Sequence, residues 1–189
     1  MNCSYRLSNV TQDYLAEFEY ILDEMIRGMT EAPFTCSISY NFIVQMIPHH
    51  MAAIEMSHNI LKYTTNIQVQ DIASNIITSQ TKSINNMRNI QYACGEITNS
   101  EQDLYQYQCQ FGRITQAMFT DMRNACTTNR INCNFMREMI PHHRGAVEMS
   151  ENALQYPICC GLNPILYSII TSQRRGIMQM QQLLRCLGC

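Results

Sequence analysis

Apolar residues recur at three- and four-residue spacing along almost the whole chain, a period that predicts helices and offers no persuasive strand. Tyr14, Phe18, Ile21, Leu22, Met25 and Met29 make one such stripe over 10–30, and the stretch "TEAPFTCS" then breaks it. A second helix is expected over 38–63. A third, over 67–92, carries Ile72, Ile76, Ile77, Gln80, Ile84 and Met87 along one side. The pattern returns over 103–123, 131–156 and 163–187. Short linkers between amphipathic helices predict antiparallel neighbours packed as an all-α bundle.

The return is a true internal repeat. Shifted by 93 residues, the sequence superimposes on itself without a gap, and 14 of 24 positions agree between Tyr40–Tyr63 and Cys133–Tyr156. "IITSQ" recurs at Ile76–Gln80 and Ile169–Gln173, and Tyr14, Phe18, Ile21, Met25 and Met29 fall on Tyr107, Phe111, Ile114, Met118 and Met122. The chain therefore divides into halves 1–96 and 97–189 of three helices each, expected to share one core in a single compact domain.

Composition narrows the function classes. Lysine and arginine total 13 against 15 acidic residues, and no basic cluster interleaves with aromatics, so the footprint of a nucleic-acid binder is missing. No apolar run approaches the ~18 residues that a membrane span needs. Neither a Gly-x-Ser-x-Gly nor an isolated cysteine with a nearby base is present, and no catalytic role is expected.

The candidate chemistry lies in two related stretches, "QMIPHHMAAIEMSHN" from Gln45 and "EMIPHHRGAVEMSEN" from Glu138. Four of the five histidines are spent on these two pairs. Pro48 removes one donor and frees the carbonyl of Val44, which kinks a helix without ending it when both sides are packed. Residues three and four apart share a helix face, so Met46 meets His49 or His50, and Met56 lies two turns beyond His49. Met139, His142, His143 and Met149 repeat the geometry. Met25, Met29, Met118 and Met122 can bring further thioethers from a neighbouring helix, and Met87 and Met180 form one more related pair. Imidazole with thioether is a soft-to-borderline donor set: thioether favours Cu(I), while imidazole also takes other transition metals. Copper is therefore the expected ion. The structural reading stands beside this one, because methionines at helical spacing also serve as adaptable core filler. Buried histidines can simply bond a free carbonyl such as that of Val44.

"FIVQMIPHHMAAIEMS" and "FMREMIPHHRGAVEMS", each followed by "IITSQ", resemble the domain-of-unknown-function 305 family over nearly the whole chain. The resemblance implies a ferritin-like four-helix bundle, usually bacterial and often exported, with copper or silver binding and tolerance in some members. Two positions depart from the family pattern. Ser39 and Asn132 stand where an acidic residue is common, and Ser83 and Gly176 stand where a glutamate is common. The remaining donors are neutral, which weakens binding of hard cations and leaves soft metals.

Two rival readings follow. A di-iron oxidoreductase would use Glu55-x-x-His58, but the repeat offers only Glu148-x-x-Glu151, and Glu55 lies about 120° around the helix from His49. A metal-free structural or interaction protein stapled by its ten cysteines is the other. Nine of these cysteines fall near helix ends or linkers. Cys36 with Cys94 is the expected pair. Cys126 and Cys133 should gather with Cys186 and Cys189, and Cys3 and Cys109 with Cys159 and Cys160. Such a set points to an oxidising location, although the N-terminus shows no signal pattern. Reduced thiols binding soft metal are the alternative.

Overall fold

A computed structural model describes residues 6–189. Among them are six α-helices and no strand: α1 (Asn9–Thr30), α2 (Ile38–Leu61), α3 (Ile67–Gly95), α4 (Glu101–Arg123), α5 (Ile131–Ala153) and α6 (Asn163–Leu187). Side-chain oxygens of Ser8, Ser37, Asn66 and Ser100 cap the first four helices by accepting from a backbone N–H three residues on. α6 instead opens with a proline in its first turn. α5 stops at Ala153, short of the expected 156. Pro157 follows, and the residue before a proline disfavours helical backbone.

Helices α2 and α5 lie at the centre. α1 and α3 pack on α2, α4 and α6 pack on α5, and the halves meet through α2 with α5 and α3 with α6. Those contacts close a ring of four helices, α2–α3–α6–α5, with α1 and α4 laid against its outside. Burial follows position: the apolar stripes of α1 and α4 are covered on one side only. α2 and α5 carry buried residues almost all round, including all four paired histidines. Pro48 and Pro141 remain inside continuous helices. At Pro48 the neighbouring helix comes so close that a Cβ on Gly28 would lie 2.8 Å from the proline Cβ, so α1 needs a glycine there.

Buried polar residues repeat with the halves. Asn41 and Asn134 each hold the linker before their own helix, accepting from the backbone N–H of Thr35 and Thr128 and donating to the same residues' carbonyls. Asn59 and Asn152 donate to the carbonyls of Tyr14 and Tyr107. Tyr14 and Tyr107 stand edge-on against Tyr63 and Tyr156 at 5.8 and 5.9 Å.

One pair breaks the symmetry. The Tyr14 hydroxyl donates to Glu138 Oε2 at 2.6 Å, linking α1 of the first half to α5 of the second. The repeat mate of Glu138 is Gln45, whose amide donates to the Met29 carbonyl instead. Burial pushes the Glu138 carboxyl up to about 8, against the opposing effect of the Tyr14 bond, so this core carboxyl is largely protonated at neutral pH.

The cysteine pairing corrects the expectation for Cys94 and Cys159 and agrees with it for Cys133 and Cys189. Cys94 is joined to Cys159 and not to Cys36, and Cys133 is joined to Cys189. The halves run antiparallel, so the end of α3 and the start of α2 meet the α5–α6 linker of the other half. Ser37 Oγ donates to the Cys94 carbonyl, Ser39 Oγ accepts from the Cys159 N–H, and Asn99 bridges the Ile38 N–H to the Pro157 carbonyl. That lacing brings Cys159 to Cys94 with Cα atoms 5.4 Å apart. Cys36, Cys109, Cys126, Cys160 and Cys186 are exposed and unpaired. Cys3 lies outside the described residues.

Two outcomes test this arrangement. Peptide mapping without reduction should recover Cys94–Cys159 and Cys133–Cys189, with Cys36 alkylated; Cys94→Ser should lower stability by about 2–4 kcal/mol. A Cys36–Cys94 peptide would contradict the antiparallel lacing. The second concerns pH. Because the folded-state pKa of Glu138 lies above the unfolded value of 4.5, its contribution is fully present below 4.5 and is lost as pH rises through about 8. Glu138→Gln, which installs the amide the other half already carries, should remove that loss and unfold at a higher temperature than the wild type at pH 9. Melting curves that stay parallel between pH 5 and 9 would contradict it.

Candidate functional site

The four paired histidines converge where the halves meet. His49 and His142 stack with ring centroids 3.7 Å apart and planes 28° from parallel. A residue and its repeat mate touch only where the axis relating the halves runs between them, so this stack marks the axis. His50 and His143 flank it, with ring centroids 5.8 and 5.9 Å from their sequence neighbours. His49, His50 and His142 are fully buried and His143 is 3% exposed. The bond expected to the Val44 carbonyl is not the one formed; His142 Nε2 lies 3.1 Å from the carbonyl oxygen of His49 in the opposite half. A carbonyl only accepts, so Nε2 of His142 carries the proton and Nδ1 keeps its lone pair.

Burial sets the charge state. It drives His50 down to about 3 and His142 down to about 4, and it holds His49 and His143 well below the usual histidine range; neighbouring imidazoles add to the effect at His49, His50 and His143, while the bond to the His49 carbonyl opposes it at His142. All four rings are neutral at neutral pH. His49 has no partner on either nitrogen, and Nδ1 of His50, His142 and His143 has none. A sealed, unbonded polar atom costs about 1–3 kcal/mol. Spending that cost at each of four adjacent rings calls for an explanation.

A second layer comes from α3 and α6. Gln80 and Gln173, the last residues of the two "IITSQ" segments, are buried; neither side-chain atom of Gln80 and not the oxygen of Gln173 has a partner. The sequence placed Gln80 on the buried stripe without assigning it a role; the recurrence of an amide at the same register was the available signal. A groove of ≈ 560 Å³ between α3 and α6 is bordered by His50, Gln80, Ser83 and Gln173. An adjoining hollow of ≈ 350 Å³ shares Gln173 and reaches His143 and Gly176. The two departures from the family pattern at 83 and 176 therefore stand beside the histidines. Ser83 Oγ is 3.0 Å from His50 Nε2, and Gly176 faces His143 with no side chain.

The expected thioethers divide by location. Met46, Met56, Met139 and Met149 are buried on the same two helices as the histidines. Met29 and Met122 are buried on the outer helices, as are Met25 and Met118. Met118 lies against Gly145, where a Cβ would be 2.2 Å from its sulfur. Gly145 is about 200° around α5 from His143 but only about 60° from His142, so that sulfur packs nearer the His142 side of the helix. Met25 borders an outer hollow with Pro48 and Glu55. The Glu55-x-x-His58 spacing falls on the exposed side of α2, and Glu148 is exposed on α5. Glu151 pairs with Arg174 at the surface. Among the described residues no three or more histidine, cysteine or acidic side chains are grouped to hold a metal ion. The ring stack explains this in part, because faces, not lone pairs, meet. What the site offers is imidazole nitrogens singly, with thioethers on the same helices and amides from α3 and α6.

No helix of the described residues is long and apolar enough to cross a membrane. No curated protein matches the chain. A crystal structure of a DUF305 fragment from Deinococcus radiodurans is similar, with 22% identity, 78% of this chain and 95% of that chain covered, and a TM-score of 0.57. At that identity the likeness shows a shared fold. The model of the domain of unknown function DUF305 matches residues 39–184, a span that runs from the start of α2 into the last turns of α6 and holds all four buried histidines. The chain belongs to the DUF305 family.

Proposed function

We propose that the protein binds a soft metal ion, copper as Cu(I), for storage, tolerance or transfer, and is not an enzyme. The observation that carries the reading is the set of four adjacent buried imidazoles, each neutral and each with a ring nitrogen lacking a protein partner. Neutral imidazole is the form that coordinates metal. The inner donor set is His49, His50, His142 and His143 with Met46 and Met139, one turn earlier on the same helices. Met56 and Met149 would extend it along the same faces. A soft monovalent ion accepts few ligands of mixed nitrogen and sulfur character, and burying one positive charge among neutral groups costs far less than burying two. No carboxylate borders the groove or hollow over the histidines, which disfavours hard dications.

The second reading is a metal-free protein held by its disulfides, and the Cys94–Cys159 link between the halves favours it. The two readings differ over His49. A histidine kept for stability is costly to remove, whereas one kept for metal is not. With free thiols alkylated and ascorbate as reductant, competition against a Cu(I) chelator should show tight binding by the wild type and its loss when all four histidines become alanine. His49→Leu alone should keep or raise the unfolding temperature of the metal-free protein, since it removes two unpartnered polar atoms at similar volume. Equal Cu(I) retention by wild type and the fourfold variant, with a large drop in stability for His49→Leu, would make the histidines structural.

A further inference from the structure

The repeat makes α3 and α6 equivalent, so the difference between Ser83 and Gly176 is informative. On the first side Ser83 Oγ is within hydrogen-bond distance of His50 Nε2, at 3.0 Å. On the second side nothing replaces it. A Cβ on Gly176 would lie 2.9 Å from Cδ2 and 3.1 Å from Nε2 of His143, so the ring edge sits directly against bare α6 backbone. That edge borders the ≈ 350 Å³ hollow that Gln173 also borders, and the buried Gln173 Oε1 has no partner. His143 Nδ1 is sealed inside, whereas its Nε2 has no hydrogen bond among the described residues.

His49 and His142 are fully buried on the axis, so an ion reaching them from the α3–α6 side passes His50 or His143 first. Of those two, one has its outer nitrogen occupied and the other has it free. We infer that His143 Nε2 is the point at which a soft monovalent cation enters and leaves the cluster, admitted by the bare Gly176, while Ser83 keeps His50 as the closed side. The inference rests on the soft-metal reading and adds direction to it: two ligand pairs alike in sequence perform unlike tasks. The rim agrees with a single charge. Lys82 and Arg175 border the hollow and no acidic residue does, so a monovalent ion meets half the repulsion that a divalent one would.

Ag(I), which is diamagnetic and redox-inert here, is the probe. Nitrogen-15-labelled protein with its free thiols alkylated is titrated below one equivalent while imidazole nitrogens are followed by NMR. The first perturbation should fall on His143 Nε2. Gly176→Ser should abolish that precedence and slow Ag(I) uptake by about tenfold or more, since His143 must now break a bond or move before it binds. Ser83→Gly should give His50 the same early response. It inserts no atoms, so it keeps the test decisive if Gly176→Ser does not fold. Ag(I) that perturbs His50 first, or an order unchanged in both variants, overturns the inference and leaves soft-metal binding standing. If no wild-type imidazole responds to Ag(I), the soft-metal reading falls and the entry point with it.

Discussion

The structure depends on burying four uncharged imidazoles where two copies of a three-helix unit meet. Placing His49 on His142 at the axis requires α2 and α5 to pack face to face, and packing them so leaves little of either helix for solvent. The outer helices α1 and α4 then complete the cover. Neutrality is the condition that makes this arrangement tolerable. An imidazolium at the axis would face three other rings and no carboxylate, and the low-dielectric surround would offer no screening.

Everything else can be read as holding that centre in register. Repeated asparagines fasten each linker to the start of its inner helix, and the tyrosines of the outer helices are fixed by Asn59 and Asn152. One end is laced across the halves by Ser39, Asn99 and Cys94–Cys159, with Ser37 tying α2 to the end of α3 beside them. At the other end Arg130 donates to the Gly188 carbonyl, and Cys133 binds Cys189. Ser37 and its repeat mate Arg130 both donate to the end of the third helix of their half, at the Cys94 and Leu187 carbonyls, but neither disulfide has a symmetry mate, so the two halves have specialised at their ends while keeping a common centre. Ser83 and Gly176 carry the same specialisation to the edge of the histidine cluster.

The helices and the repeat were legible because both depend on local period, and period survives in a single sequence. The shared face of Met46, His49 and Met56 was legible from spacing, and all three are buried. The pairing of Cys94 was not legible. It depends on whether the second half lies parallel or antiparallel to the first, which no spacing within a half records. Glu138 was equally hidden: its partner is Tyr14, far away in sequence, and its repeat mate is the unremarkable Gln45. Gln80 and Gln173 lay in plain view in "IITSQ", but an amide on a buried stripe reveals its unmet hydrogen bonds only once its surroundings are known. Met118 of α4 lies against the bare backbone at Gly145, a contact between helices that the spacing within α4 does not record.

X-ray absorption of the Cu(I)-loaded protein, with free thiols blocked and both disulfides intact, tests the central claim most directly. The account predicts a first shell of few ligands containing both imidazole nitrogen, with its outer-shell scattering, and thioether sulfur at a distance longer than a thiolate would give. A shell made only of sulfur, or only of light oxygen and nitrogen donors lacking the imidazole pattern, would contradict it.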